Sequence, residues 1–339
     1  MSLNLYRLLR PLFFLLEPEQ AHALTFETLK WRQRLPLPHP KPVASLSKNC
    51  MGLNFINPIG LAAGLDKNAE LIPIWEKLGF GFVEVGTVTP KPQPGNSRPR
   101  MFRLQSDSAI INRLGFNNLG VDAMVNNIKK YPRKAILGIN LGKNKDTPLA
   151  QADEDYLHCF HKVASLADYI TINLSSPNTP GLRALQQKRY LSQLLDKLKE
   201  AQVKYQTADK PLPICIKIAP DLNESELMDI VESLLEYKIE GLITTNTTIE
   251  RPISLKSPEK KEQGGLSGAP LFNLSNKILQ QCKNLAGNNL TIIGVGGIAS
   301  GLQAQQKFKC GADLVQVYSG LIYQGPKLVS DVTNTLSQS

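Results

Sequence analysis

Residues 168–181 read Asp168-Tyr169-Ile170-Thr171-Ile172-Asn173-Leu174-Ser175-Ser176-Pro177-Asn178-Thr179-Pro180-Gly181. The first six alternate apolar with β-branched or polar residues, the pattern of a strand. The chain then turns polar at once, with the amides Asn173 and Asn178 and the hydroxyls Ser175 and Ser176. Two prolines stiffen the backbone of this polar segment, and a glycine follows them. Buried amides and hydroxyls cost free energy without partners, so a strand that ends in so many points to a ligand. An Asx or Ser turn leading into a proline-rich loop would use the same residues. The rest of the chain decides between the two.

Short apolar or alternating runs recur at 56–63, 80–88, 135–141, 168–174, 213–218, 241–246, 291–296 and 313–318, eight strands in all. Most gaps between them carry helical spacing, as at 69–78, 190–204, 224–237, 273–285 and 301–309. Eight strands alternating with helices predict an α/β chain of the TIM-barrel type, a (β/α)8 barrel of about 250 residues plus insertions. The longest insertion, residues 89–134, holds Pro and Gly clusters and is expected to lay a hairpin over the barrel mouth. The expected domains are a small N-terminal helical segment, residues 1–45, and the barrel, residues 46–339.

Of the 339 residues 42% are hydrophobic and 20% charged, as in an ordinary globular protein with a sizeable core. The five cysteines, Cys50, Cys159, Cys215, Cys282 and Cys310, are odd in number, scattered and without a C-x-x-C. They point to reduced thiols in a cytosolic setting. A net charge of +10 allows nucleic acid, phospholipid or anionic small molecules as partners. With no long Lys/Arg tract and interleaved aromatics, nucleic acid is the least favoured.

Ahead of the barrel, Leu5, Leu8, Leu9, Leu12, Phe13, Leu15 and Leu16 fall at helical spacing with Arg7 and Arg10 among them. Pro11 is expected to kink or restart that helix. The run is too short to span a bilayer and lacks the cleavage site of a signal peptide. A second helix starts at Pro18, with Glu17 and Glu19 at the end of the dipole that suits acids and Lys30, Arg32 and Arg34 at the other. Over residues 1–48 seven basic residues (Arg7, Arg10, Lys30, Arg32, Arg34, Lys41, Lys48) face three acidic ones (Glu17, Glu19, Glu27), and a proline-rich linker spans 35–42. The pair reads as lying on an anionic membrane surface; a hairpin capping the main domain is the alternative.

Barrel chemistry collects at the C-terminal ends of the strands. There stand Ala62-Ala63-Gly64-Leu65-Asp66-Lys67, Gly86-Thr87, Asn140 with Gly142-Lys143-Asn144, the opening stretch, Lys217 with Asp221, Thr244-Thr245-Asn246-Thr247, Gly294-Val295-Gly296-Gly297 and Tyr318-Ser319-Gly320. The glycines of the seventh end, with Ser319-Gly320, offer backbone N–H groups where barrels hold a phosphate. The amides and lysines suit something planar and rich in acceptors. Carboxylates are few and unpaired there, which argues against glycoside hydrolysis and against a divalent metal. His158 and His161 have loose ligand spacing but precede the fourth strand, at the wrong end of the barrel, and read as surface or packing residues. Lys217 is also compatible with the Schiff-base lysine of an aldolase-type barrel.

Together these stretches resemble the class 2 dihydroorotate dehydrogenases, membrane-associated, quinone-reducing, FMN-dependent enzymes of pyrimidine synthesis. The motifs are Gly60-Leu-Ala-Ala-Gly-Leu-Asp-Lys67, Val85-Gly-Thr-Val-Thr-Pro90, Pro92-Gln-Pro-Gly95, Ile111-Asn-Arg-Leu-Gly-Phe-Asn-Asn118 and Gly138-Ile-Asn-Leu-Gly-Lys-Asn144. Residues 173–183, Lys217-Ile-Ala-Pro-Asp221, Thr245-Asn-Thr247, Gly264-Gly-Leu-Ser-Gly268, Gly294-Val-Gly-Gly-Ile298 and Tyr318-Ser-Gly320 continue the series. They cover the chain from about residue 50 to its end, and Glu17-Pro-Glu-Gln-Ala-His22 resembles the family's helical extension. Ala269 and the Ser319 hydroxyl stand where relatives vary.

The resemblance implies a monomer with one FMN, peripheral on the cytoplasmic face of the cell membrane. It would oxidise dihydroorotate to orotate and reduce a membrane quinone. The serine base of class 2 matches Ser176, and the residues whose bound water helps its proton away match Thr179 and the Phe116 backbone. Lys67, Asn112, Asn173, Asn178 and Asn246 match dihydroorotate contacts, and Arg113, Leu114, Gly115, Phe116 and Thr247 are grouped with them. Lys217 matches the lysine beside the flavin pyrimidine edge, where positive charge favours the reduced anion. Ala63, Lys67, Thr87, Asn140, Asn173, Thr245, Gly268, Gly297, Tyr318 and Ser319 match other FMN contacts. His22 and Arg103 match polar residues of the quinone tunnel. Without the resemblance, His22 reads as a packing histidine and Gly268 as a loop residue. The rival within the fold is an FMN reductase of pyrimidine rings using a nicotinamide donor, which would lack the paired helices before residue 45.

Overall fold

The eight apolar runs become β1 (Ile59–Leu61), β2 (Phe82–Val88), β3 (Ile136–Leu141), β4 (Tyr169–Asn173), β5 (Ile214–Ile218), β6 (Gly241–Thr244), β7 (Thr291–Val295) and β8 (Leu314–Val317), each inside its predicted segment. Strands buried on both faces need partners that run parallel, with helices outside. In the computed structural model, which describes residues 5–33, 35, 40 and 42–338, they close a parallel barrel in the order β6-β7-β8-β1-β2-β3-β4-β5. The register aligns the functional ends: Asn173 opposite Lys217, Gly86 opposite Asn140, Thr244 opposite Gly294.

Pleating sorts the side chains. Val83, Val85, Leu137, Ile139, Ile170, Ile172, Ile214 and Ile216 join the outer core beneath the helices. Each such residue contributes about 1.5–3 kcal/mol by its burial. Phe82, Tyr169, Cys215, Ile293 and Leu314 pack inward as a floor, closed from below by Phe55 of the hairpin Lys48–Cys50 and Leu53–Phe55. Gly138 must be glycine here, because a Cβ would stand 2.1 Å from the Tyr169 ring. Above the floor the interior turns polar: Glu84, Thr171 and Gln316 are wholly buried.

The 89–134 insertion does form the expected hairpin, Met101–Leu104 against Ala109–Asn112. A third strand, Gly265–Gly268, pairs with Ala109–Asn112. Gly268 therefore ends a strand and is not a loop residue. Gly-Leu-Ser-Gly has little strand preference of its own; a partner remote in sequence imposes the conformation.

Helix α1 (Leu5–Leu15) continues through Pro11 without restarting. Helix α2 (Pro18–Arg32) begins as predicted, with Pro18 in its first turn and the Glu17 carboxylate accepting the Gln20 N–H at 3.1 Å. Arg34, Lys41 and most of the proline-rich linker lie outside the described residues. Not every counted cation faces outward: Arg10 donates to the Tyr323 carbonyl at 2.7 Å, and Lys30 pairs with Glu70 at 2.7 Å. Leu8, Leu12 and Leu15 remain exposed, by 73%, 61% and 83%. Among the described residues no helix is long and apolar enough to cross a membrane. His158 and His161 sit on the helix Ala152–Val163, and the His161 ring packs at the surface 3.1 Å from the Tyr205 hydroxyl.

Candidate active site

One cleft at the C-terminal mouth of the barrel is lined by Ser176 and by nearly every residue expected to touch substrate or flavin. From the strand ends come Ala63, Lys67, Thr87, Asn173, Lys217, Thr245, Asn246, Thr247, Gly297, Tyr318 and Ser319; the insertion and its third strand add Asn112, Leu114, Gly115, Phe116 and Gly268. Asn178 lines it beside Ser176, while Asn140, Arg113 and Thr179 stand outside the lining.

The loop after β4 turns its two serines apart. Ser175 points back, its hydroxyl donating to Asn173 Oδ1 at 3.1 Å. Ser176 faces the cleft, and its Oγ accepts the Asn178 backbone N–H at 3.2 Å. Asn178 in turn donates to the Asn112 carbonyl at 3.1 Å, tying the loop to the hairpin. Thr179 is buried behind the loop, and the Phe116 carbonyl already accepts from Gln93 and Asn118. Arg113 turns away, its guanidinium on Glu262 at 2.6 Å and over the Phe102 ring.

Asn140 lies beneath the cleft rather than in it. It donates to Glu84 at 2.8 Å and accepts from Thr87 Oγ1 and from Asn173 Nδ2 at 3.3 Å. Asn173 Oδ1 then accepts from Asn246 Nδ2 at 3.3 Å. Glu84, which also takes donors from Tyr169, Thr171 and Gln316, anchors the whole series. It belongs to none of the family motifs, yet the sequence marks it. The signal was a lone acid inside an apolar strand run, Phe82-Val83-Glu84-Val85.

Two lysines supply charge. Lys217 is buried and makes no hydrogen bond or ion pair among the described residues; burial lowers its pKa and Glu84 opposes the shift. Lys67, half-buried at the cleft wall, bonds Asn117. Burial and then the Arg100 charge bring it down to about 7, with Glu19 pulling the other way. At the opposite end Gly296 and Gly297, with Ser319 and Gly320 at the start of the helix Ser319–Gln324, form an uncharged wall. Gly297 has φ 78°, and a Cβ there would lie 2.6 Å from the Phe272 Cα, so only glycine can present this cradle. An anion cradle at one end and an amide wall with an unpaired lysine at the other fit a phosphorylated flavin.

A second cavity of about 530 Å³, mostly apolar, lies between α1, α2 and the barrel. His22 and Arg103 both line it, and Tyr318 lines both cavities. The His22 ring stacks on Phe26 at 4.1 Å, and burial, then Lys67, lower its pKa to about 4. Arg103 donates to the Phe13 carbonyl at 3.1 Å and covers the Phe14 ring at 4.7 Å. Arg100 stands outside every one of the family motifs. It grips Glu19 of α2 with paired bonds of 3.0 and 2.8 Å.

A closed parallel barrel with a polar cleft at its C-terminal mouth defines a (β/α)8-barrel enzyme. The family model described as dihydroorotate dehydrogenase matches residues 45–339. "Dihydroorotate dehydrogenase (quinone)" of Methylobacillus flagellatus is 51% identical over 335 residues, 98% of this chain and 99% of the relative. The protein of that name from Coxiella burnetii is 50% identical, covering 99% of this chain and 97% of its own. The crystal structure of DHODH in complex with ferulenol from Eimeria tenella superposes with a TM-score of 0.89 at 41% identity, over 94% of this chain and 90% of that one. This chain belongs to the dihydroorotate dehydrogenase family, whose members are generally flavin-dependent.

Proposed function

We propose that Ser176 is the base, and FMN the flavin, with which this chain oxidises dihydroorotate to orotate in pyrimidine synthesis, a quinone being the electron acceptor. One observation carries the assignment: Ser176 Oγ, Lys67, Asn112, Asn178, Asn246 and Lys217, from separate segments of the chain, face a single cleft. When bound, FMN supplies the acceptor for the hydride that leaves the carbon next to the deprotonated one.

The chain's residues do the rest. Asn112, Asn173, Asn178 and Asn246, with Thr247, read the amide-rich ring, each side chain offering both a donor and an acceptor. Lys67 takes the carboxylate. Ser176 Oγ removes the proton from carbon; a serine hydroxyl is a poor base at neutral pH, so its own proton must leave along the loop past Thr179 and the Phe116 backbone. Leu114 and Gly115 shape the wall and Arg113 braces the hairpin from outside. Lys217 holds positive charge at the ring end of the flavin, while Gly297 and Ser319 take the phosphate. Ala63, Thr87, Thr245, Gly268 and Tyr318 complete the flavin contacts, with Asn140 fixing Thr87 and Asn173 from beneath.

The second cavity takes the quinone, with His22 and Arg103 as its polar groups. In this reading residues 1–45 are the quinone-tunnel segment, its helices α1 and α2 closing the cavity against the barrel, and residues 46–339 are the catalytic barrel. Leu8, Leu12 and Leu15 enter an anionic membrane surface, which holds a monomer peripherally at the cytoplasmic face. An anaerobic visible spectrum tests the whole reading. The purified protein is expected to be yellow, to bleach with dihydroorotate and to recover its colour with quinone but not with NAD. Yellow without bleaching would discard the substrate, and no yellow after adding FMN would discard the flavin.

A further inference from the structure

Lys307, on the helix Gly301–Lys309, is completely buried. Its Nζ donates to Ser275 Oγ at 2.6 Å, approaches the Val295 carbonyl at 3.4 Å and lies 5.5 Å from the centre of the Phe272 ring. Among the described residues no carboxylate forms an ion pair with it. The single Ser275 hydroxyl hydrogen is shared between the Phe272 carbonyl at 3.0 Å and the Gly296 carbonyl at 3.2 Å. The amine therefore sits directly behind the Val295-Gly296-Gly297 turn, on the side away from the cleft. Burial brings it down to about 7.

A buried cation with no fixed counter-charge is costly, and an apolar side chain would fill the space more cheaply. With its pKa brought to about 7 the amine is only partly charged on its own, and an anion close by would hold it as the ammonium. The cleft has a place for one. Among the described residues its only lysines or arginines are Lys67 and Lys217, at the amide end, whereas Gly296, Gly297, Ile298, Ser319 and Gly320 at the other end carry no charge. A phosphate dianion held there by backbone N–H groups alone would have no cation in the lining. In a low-dielectric interior a charge acts well beyond contact distance.

We propose that Lys307 is the counter-charge for the flavin phosphate, acting through the 295–297 turn without touching the cofactor, and so makes the site selective for FMN over unphosphorylated flavin. The proposal rests on the FMN reading above. The test compares holoprotein with Lys307→Met, which keeps the apolar stem, and Lys307→Gln, which keeps a donor to Ser275. Each is exchanged against excess FMN or riboflavin, and flavin release on dilution is monitored by recovered fluorescence. Both variants are expected to hold FMN about tenfold less tightly and riboflavin within about twofold of the parent. Equal weakening of both flavins would make Lys307 a structural residue, and unchanged FMN retention would remove it from the phosphate site; either result overturns the proposal. A parent chain that retains neither flavin would overturn the FMN reading itself.

Discussion

Glu19→Ala should undock the N-terminal helices while leaving the barrel closed. The Glu19 and Arg100 side chains are 11% and 6% exposed, so the substitution strands a buried guanidinium. Removing one partner of a buried pair costs about 3–5 kcal/mol. Arg100 keeps the Pro94 and Asn96 carbonyls at 2.6 and 2.7 Å, which places the loss at the low end. About 3 kcal/mol is roughly 150-fold in an equilibrium constant. Because Glu19 lies on α2 and Arg100 on the barrel insertion, the cost falls on docking, not on barrel closure. Native-state hydrogen exchange should show the α2 amides opening about 100-fold more readily with β1–β8 unchanged. At slightly acid pH quinone should reoxidise the protein more slowly while dihydroorotate reduces it as before. Wild-type exchange in α2, or equal loosening of the barrel, would refute the reasoning. Acid should mimic the substitution. Burial alone would raise the Glu19 pKa, but the Arg100 hydrogen bond and charge, with Arg98, bring it below the ordinary value. That stabilisation is present above the unfolded value and is lost as pH falls through the lowered folded one.

Ser176→Ala should stay yellow and bind orotate but lose about 10²–10⁴-fold in bleaching by dihydroorotate, the span of a general base; near-parental bleaching would remove Ser176 from the mechanism. Orotate affinity should fall about tenfold per pH unit above the Lys67 pKa of about 7 as the ammonium is lost, and Lys67→Met should bind weakly with no such slope. His22, held near 4 by burial and Lys67, is neutral across the working range. Quinone-driven reoxidation should therefore show no step near the ordinary histidine value, and a step abolished by His22→Ala would contradict this.

The barrel was legible because its signal is local. Eight apolar runs announce themselves whatever their partners, as do caps such as Pro18 and Glu17. What stayed hidden depends on distance in sequence. Gly265–Gly268 is a strand only because Ala109–Asn112 lies beside it, and Arg100 means nothing until α2 brings Glu19 against it. Cleft residues at strand ends could be read from barrel geometry, but Asn140 and Arg113 show the limit of motif matching. A motif names a neighbourhood, and pleat and local packing decide which member reaches the ligand. Glu84 and Lys307 are the opposite case, charges inside apolar patterns whose roles emerge only once burial is known.

The same ion pair that docks α2 also reaches the substrate cleft. Lys67 is pushed down by burial and Arg100 and held up by Glu19, while His22 across the wall responds to Lys67 and Glu19 in turn. One string of charges thus runs from the polar cleft to the apolar cavity on either side of Tyr318. Removing Glu19 takes away the one anion that favours the Lys67 ammonium and leaves the Arg100 repulsion unopposed. In Glu19→Ala the pH at which orotate affinity begins to fall should therefore move below about 7, in the direction opposite to any gain from solvent entering an undocked tunnel. An unchanged midpoint would mean that docking and the substrate cleft are electrostatically independent. An upward shift would mean that water reaching Lys67 outweighs the lost carboxylate, because relief of burial is what raises a lysine pKa toward its ordinary value.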